Sequence, residues 1–385
     1  MPFKASYTRY VRIKFTFPAL FILSAALLFG GAAYLNQFSF SALIQNTETE
    51  QFKLMESIVR FNIKGTIGKA LARAELLADV PAIRQALITD NRTQLLKETQ
   101  TLFEHQNDKY GVAQLQFTRP PHTMFLRVQK PAVFGDDLSS FRHTVVATYA
   151  QKKNITGVEI SRSGPAMFGV VPFKDRNTVL GTIEVGLDFA PMLDNLKSAY
   201  GFDLAFMVNQ KMAGQTATLM NKLLLNPENT LGTYFNFHST DWKRLRYLVN
   251  PDQLDNLKEV RNFTQTYQNH VYGVVIVPIQ DFNGQTIGSI VAFKDFQASR
   301  SSNKNFLVMQ LVLGILSVVL LAGIILVVLK GGLLQPLAEL TEQLNALAEG
   351  NAEADVETQD YPADLQPLAT AYQRLKARLF PGDTP

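Results

Sequence analysis

Two apolar spans without a charged residue divide the chain into a short basic start, a long polar middle and an acidic tail. Phe15 to Leu35 holds 21 such residues and Asn305 to Leu329 holds 25. A helix rises about 1.5 Å per residue, so either span crosses a hydrocarbon core of roughly 30 Å. The pattern predicts membrane helices at 15–35 and 305–329. Residues 1–14 include Lys4, Arg9, Arg12 and Lys14 and no acid, which places the N-terminus in the cytoplasm. Segment 36–304 then lies outside, and the tail returns to the cytoplasm. A cleaved secretory signal also has a basic start and an apolar run. Here the run exceeds a signal core and stays charge-free to Thr47, so an uncleaved anchor is expected.

Thr47 to Ala78 predicts a long helix. Phe52, Met55, Val59, Ile63, Ile67 and Leu71 recur at helical spacing and make one apolar face. Two readings of that face are open: a rigid rod that passes displacement out of the membrane, or a face packed on its own domain. Pro81 opens a further short helix.

The middle of the chain repeats itself. Residues 169–189 read GVVPFKDRNTVLGTIEVGLDF, and residues 273–296 read GVVIVPIQDFNGQTIGSIVAFKDF. Each has a β-rich run with a proline (Pro172, Pro278), a polar turn, a glycine (Gly181, Gly288) and a second β-rich run closing on Asp-Phe. Each predicts two antiparallel strands, with turns at Asp175–Asn177 and Asp281–Gly284. Two copies imply two α+β modules, a distal one at about 80–200 and a proximal one at 201–300. The second copy ends a few residues before the second span, as a transmitter requires.

In the tail, Leu337, Leu340, Leu344 and Leu347 form one heptad-like seam, and Leu365, Leu368, Tyr372, Leu375 and Leu379 form another. Glu349-Gly350-Asn351 reads as the stop between them. Helices this short need partners to be stable.

Composition narrows the chemistry. The chain has no cysteine, which excludes disulfides, thiol nucleophiles, iron–sulfur sites and c-type haem attachment. The formal charge of +4 is spread without a basic run, so no nucleic-acid partner is expected. The tail from Gly331 carries nine acids against Arg374, Lys376 and Arg378, and an anionic leaflet would repel it. His105, His122, His143, His238 and His270 lack metal-site spacing, so no metal and no cofactor are expected. Trp242 and Tyr247 beside Lys243, Arg244 and Arg246 read as a lipid-facing patch or as a solvated face with its stems packed down.

Two resemblances add to this reading. Pro336, Leu337 to Leu347, Glu349-Gly350-Asn351 and Leu365 to Leu379 resemble a HAMP linker over 330–380, with the acidic pair that opens its second helix reduced to Asp364. That likeness implies a parallel four-helix bundle in a homodimer. The run over 112–144, including PPHTMFLRVQKPAVFGDDLSSFRHT, is similar to a double Cache subfamily of bacterial chemoreceptors and membrane cyclases or sensor kinases. The likeness covers most of 40–300. It implies an α+β fold: a two-pass membrane receptor with a long N-terminal helix, two tandem PAS-like Cache modules outside and a short cytoplasmic HAMP-like helical pair. Further on, VEISRSGPAMFGVVP has a serine where the subfamily usually has a glycine before Arg162.

The candidate ligand contacts are Arg127, Lys130, Asp136, Asp137 and Arg142, set in an apolar frame, followed by Glu159 and Arg162. Charges in such a frame are costly to bury unless paired with each other or with a ligand. An arginine fork matches a carboxylate, so a small anionic or amino-acid-like solute fits. Gly135 predicts a tight turn presenting the acids. In the structural alternative, Asp136 caps a helix beginning near Leu138 and Arg142 pairs with Asp136 or Asp137.

The expected protein is a homodimeric two-pass sensor of the bacterial inner membrane, with lipid around its spans. It binds a solute in its distal module and signals through the linker to a cytoplasmic output protein. After Leu379 no output domain follows, so a truncated receptor or a separate partner is expected. It is not expected to be an enzyme; Ser139 or Ser140 with His143 is the only local candidate for a hydrolase. The rival class is a structural or regulatory membrane subunit that contacts another envelope protein.

Overall fold

A computed structural model describes residues 3–176, 178–351 and 356–380; most side chains of 3–43 and several of 298–307 are outside that description. The orienting basic residues of 1–14, most side chains of 15–35, the turn residue Asn177, connector residues 352–355 and the ending 381–385 therefore lie outside the described residues. The chain divides into one unit of 44–300 and another of 1–43 with 301–385.

Helix α1 runs from Phe3 to Ala78. Within 44–300 its predicted face is packed on the cores of its own domain. Met55 and Val59 are buried, and Phe52, Ile63 and Ile67 join them on one core. One turn further, Ala70 and Ala74 are buried on a second core, beside Leu71. Helix α2 (Pro81–Ile88) starts at Pro81, whose missing N–H costs nothing in a first turn. Helix α3 (Arg92–Tyr110) is capped by Asn91, whose side chain accepts from Gln94 N at 2.9 Å.

Two antiparallel sheets follow. The distal one comprises β1 (Val112–Arg119), β2 (Thr123–Arg127), β3 (Ile155–Ser161), β4 (Gly164–Asp175) and β5 (Thr178–Leu187), with helix α4 (His143–Gln151) between β2 and β3. Its strand order is β2-β1-β5-β4-β3. Helix α5 (Phe189–Tyr200) leads to the proximal sheet: β6 (Asp203–Asn209), β7 (Thr230–Leu231), β8 (Tyr234–Ser239), β9 (Arg261–Tyr267), β10 (His270–Gln280) and β11 (Thr286–Asp295), with α6 (Gln210–Thr216) and α7 (Trp242–Leu248) between strands. Its order is β7-β8-β6-β11-β10-β9. Apart from the edge strand β7, the two orders are the same when each module's strands are counted from its own start.

The repeated runs are the central hairpins β4–β5 and β10–β11, and their shared residues hold matching positions. Gly181 pairs with Phe173 and Gly288 with Ile279, each beside a register shift. A Cβ at Gly181 would lie 2.3 Å from Thr118 O, and one at Gly288 would lie 2.2 Å from Met207 O. Each glycine thus admits the carbonyl of its module's first strand. Pro172 lies beyond Val170, where pairing with β3 ends, and Pro278 lies beyond Ile276, where pairing with β9 ends. In both places a missing N–H costs no ladder bond. Each closing aspartate caps the next helix: Asp188 accepts from Ala190 N at 3.1 Å, and Asp295 from Gln297 N at 2.7 Å.

In the other unit, helix α8 (Gln297–Leu329) passes through a π-helical turn at Lys330–Leu334 into α9 (Gln335–Ala348). Among the described residues, one helix, Val308–Ala348, is long and apolar enough to cross a membrane, with a mean hydropathy of 3.2 over an 18-residue stretch. Its apolar side chains are exposed around the helix, Val312, Ile315, Val319 and Leu320 among them. Helix α9 stops at Gly350, in the left-handed region at φ +88°. Leu340, Leu347, Val356, Ala369 and Tyr372 form a small core between α9 and α10 (Gln366–Leu379).

Candidate functional site

Strands β1 and β5 alternate. Leu115, Phe117, Ile183, Val185 and Leu187 face the core beneath α1, α2 and α3. Period two sends Gln114, Gln116, Thr118, Thr182 and Glu184 to the other face. A polar sheet face ordinarily meets water, but all five are buried. Glu159 and Ser161 of β3 are buried as well. The covering elements are α4 and the segment 128–142. That segment folds back along β2: Gly135 N donates to Met124 O at 2.8 Å, and Leu138 N to His122 O at 3.0 Å. Gly135 has φ +88°, the predicted turn, and it delivers Asp136 inward.

At the centre lies Arg142, the residue before α4. Its Nε donates to Glu159 Oε2 at 3.0 Å, and its Nη2 lies 2.7 Å from Glu184 Oε2. All three side chains are at most 2 % exposed. The guanidinium covers the Phe168 ring, 3.9 Å from its centroid. Glu159 also accepts from Thr144 N at 2.9 Å and Thr144 Oγ1 at 2.6 Å. The Glu184 contact is close but poorly aligned, and neither of its oxygens has a hydrogen-bond donor among the described residues. Burial pushes the Glu184 carboxyl up, and the negative Glu159 adds to that; Arg142 pulls it down without reversing the shift. Burial acts against the charge on Arg142, but Glu184 and Glu159 together outweigh it and raise its pKa.

A second pair stands beside the first. Arg127, 1 % exposed, forks onto Asp136 at 2.7 and 2.8 Å, and Arg162 approaches Asp136 at 3.6 Å while covering the Phe141 ring. Burial raises the Asp136 carboxyl, but the hydrogen bond and charge of Arg127, with the charge of Arg162, hold it below its usual value. Ser161 Oγ donates to Gln114 Oε1 at 2.6 Å, and Gln116 Nε2 to the same oxygen at 2.8 Å. The serine before Arg162 is therefore part of the network. Thr118 links Thr182 at 2.6 Å to Tyr149 at 3.0 Å. Burial raises the Tyr149 hydroxyl despite that bond.

Five of the seven residues proposed from sequence therefore come together: Arg127, Asp136, Arg142, Glu159 and Arg162. Lys130 is exposed. Asp137 is exposed and accepts from Ser139 N at 3.0 Å and Ser139 Oγ at 2.8 Å. Its carboxyl is held low by those bonds. Two parts of the structural alternative are corrected. No helix begins near Leu138, because α4 starts at His143. Arg142 pairs with Glu159 and Glu184 rather than with Asp136 or Asp137. Glu184 was missed; its signal is a lone acid between apolar neighbours in TIEVG. Trp242 is tied down through Nε1 to Glu228 O at 2.9 Å, and Tyr247 stacks on Tyr267. Among the described residues no three His, Asp or Glu gather as a metal-binding group.

Two antiparallel modules of one strand order, built along one helix, with a buried charged face in the distal module, define a tandem sensory domain. The chain belongs to the family of the double sensory domain of two-component sensor kinases, whose profile matches residues 62–299. Among solved structures, the chain is similar to the ligand-binding domain of the Campylobacter jejuni chemoreceptor Tlp3 in complex with L-valine, at 14% identity and TM-score 0.37 over 68% of this chain and 96% of that one. It is also similar to the periplasmic domain of Vibrio cholerae LuxQ, at 9% identity and TM-score 0.38 over 63% and 99%. The E. coli DcuS sensor domain matches at 20% identity and TM-score 0.29 over 36% and 98%. No curated protein matches the chain.

Proposed function

We propose that this chain is a two-pass transmembrane receptor of the bacterial inner membrane, whose distal module takes an amino-acid-like solute. The observation that carries this reading is the buried polar face. Three guanidinium groups and three carboxylates (Arg127, Arg142, Arg162; Asp136, Glu159, Glu184) lie together there as close pairs. A zwitterion can exchange into such pairs, its carboxylate taking an arginine fork and its ammonium a carboxylate, without leaving a buried charge unpaired.

Transmission is proposed to run through β11. One residue, Phe296, separates its end at Asp295 from the start of α8 at Gln297. The tail then acts as a HAMP-like linker in a homodimer and passes the signal to a cytoplasmic output protein. In support, Leu368, Leu375 and Leu379 of the second predicted seam are 41 to 56% exposed within one chain, a row a second copy would cover. No catalytic role is proposed.

The test is a melting panel on the full chain in lipid nanodiscs with amino acids, other carboxylates and amines. A ligand at about 100 times its Kd stabilises by about 2.7 kcal/mol. An amino acid that raises the melting temperature in wild type but not in Arg127→Ala supports the site. No shift across the panel favours the rival, a membrane subunit that docks another envelope protein, which the internal pairing of the cluster also suits. A reporter fused near residue 200 checks topology; cytosolic activity there overturns the receptor reading.

A further inference from the structure

The other face of the distal sheet carries a cleft between the last turns of α1 and the second half of α3. Its cavity is about 270 Å³, walled by Leu76, Leu77, Leu102 and Phe103 above Leu115 and Val185 of the sheet. Its polar lining consists of Arg73 and Gln106. Arg73 also lines a neighbouring cavity of about 490 Å³, together with Lys69 and Lys109. An apolar chamber thus adjoins, across one arginine, a chamber carrying three cations and one acid, Asp188, whose carboxylate is engaged by Ala190 N.

We propose that this cleft binds a medium-chain fatty carboxylate, with the chain in the smaller cavity and the headgroup on Arg73. Arg73 is held ready on one side: Nε donates to Gln106 Oε1 at 2.9 Å, Nη1 donates to Lys69 O at 3.1 Å, and the guanidinium lies 5.2 Å from the Tyr110 ring centroid. No carboxylate pairs with Arg73, Lys69 or Lys109 among the described residues. Three cations against the single acid Asp188, beside an apolar chamber, complement an anion that carries a hydrocarbon chain. At the mouth, Leu76 and Leu102 are 70% and 44% exposed, apolar surface that a bound chain would cover. The smaller cavity sits just below the usual small-molecule range of about 300–1,000 Å³, which suits a chain of roughly eight to ten carbons rather than a diacyl lipid. The site is on the opposite face from the buried charge pairs, so it is independent of the amino-acid reading.

The test is photo-crosslinking of the full chain in nanodiscs with a diazirine-bearing decanoate, with adducts mapped by peptide mass spectrometry. Adducts are expected on residues 73–80 and 102–115, and free decanoate should compete them away. Arg73→Ala, or the methyl ester of the probe, should lower labelling roughly tenfold or more, the value of a charge-assisted hydrogen bond; Arg73→Lys should keep most of it. Leu102→Trp, at an exposed position, should close the mouth and abolish labelling while leaving the melting temperature unchanged. Adducts confined to 308–329, or equal labelling of wild type, Arg73→Ala and Leu102→Trp, would overturn the proposal. So would chain-to-chain crosslinks through Leu76 and Leu102 with no probe adduct, because a second copy would then fill the cleft.

Discussion

Arg142 serves two carboxylates, and that excess of acid sets how the distal module responds to pH. Glu184 has a raised pKa in the fold, so its contribution is full below its ordinary value of 4.5 and is lost as pH rises through the folded value. Asp136 behaves oppositely: its pKa is depressed, so its contribution is present above 3.8 and is lost as pH falls through the folded value. Glu184→Gln removes the first dependence. We expect its melting temperature to equal or exceed that of wild type at pH 7 to 8, and the advantage to vanish near pH 4 in a melt series. Arg142→Met leaves two buried acids without their cation and should cost about 3–5 kcal/mol at neutral pH. Adding Glu184→Gln to it should recover part of that loss; no recovery would mean that the two side chains are not coupled. Much of this cluster is legible in the chain, because charges in the apolar frame of 125–142 must be paired to be buried. The choice of partner is not legible, since Arg142 finds Glu184 through the β4–β5 hairpin, and nothing in local spacing reports that contact.

The hairpins show what a repeat in sequence means physically. Gly181 and Gly288 recur because each lies against a neighbouring strand's carbonyl, and Pro172 and Pro278 recur because each lies past the end of an outer strand. Gly181→Ala and Gly288→Ala should therefore be similarly destabilising, by about 1–3 kcal/mol each, the scale of overpacking a closed core. Gly169 tests another contact between elements. A Cβ there would lie 2.2 Å from Leu71 N and 2.6 Å from Ala70 C, so the backbone of α1 rests directly on β4. Gly169→Ala should cost at least as much as the other two, because a Cβ there meets three backbone atoms within 2.6 Å, where Gly181 and Gly288 each meet one that close. Denaturant unfolding checks all three, and a cost below about 0.5 kcal/mol at Gly169 would mean that helix and strand slide apart easily. The hairpins, α1 and the tail helices follow from period and punctuation. The start of α4 does not: the acids at 136 and 137 suggest a helix beginning near Leu138, but Asp137 and Ser139 form a local turn, and the chain reaches helical geometry five residues later at His143. The second tail seam is only partly used, because Tyr372 enters the small core while Leu368, Leu375 and Leu379 stay exposed.

At the scale of the molecule, the question is how the distal sheet could reach α8. Helix α1 packs on both cores, and it is also tied to the residues that open α8. Arg300 forks onto Glu48 at 2.6 and 2.9 Å, Lys294 Nζ donates to Gln51 at 3.4 Å, and the Phe52 and Phe296 rings lie 5.5 Å apart. Gly273 makes room for those rings: a Cβ there would lie 2.2 Å from Phe296 and 2.9 Å from Phe52. The Glu48 hydrogen bonds raise the Arg300 pKa against its partial burial, so the guanidinium stays charged. A bidentate pair beside an aromatic contact is a defined two-sided grip rather than a loose surface bridge. Beside the route proposed through β11, a shift of α1 against the sheets would also pull on α8 here. Glu48→Arg and Arg300→Glu each put like charges face to face, and each should weaken the grip by about 1 kcal/mol or more. In nanodiscs each single variant should keep solute binding while losing the ligand-induced change in hydrogen exchange over 301–310. The double exchange Glu48→Arg with Arg300→Glu should restore that change, because the pair is re-formed with its signs reversed. If both single variants transmit as wild type does, the grip is structural only, and the route to α8 runs through the β10–β11 hairpin alone.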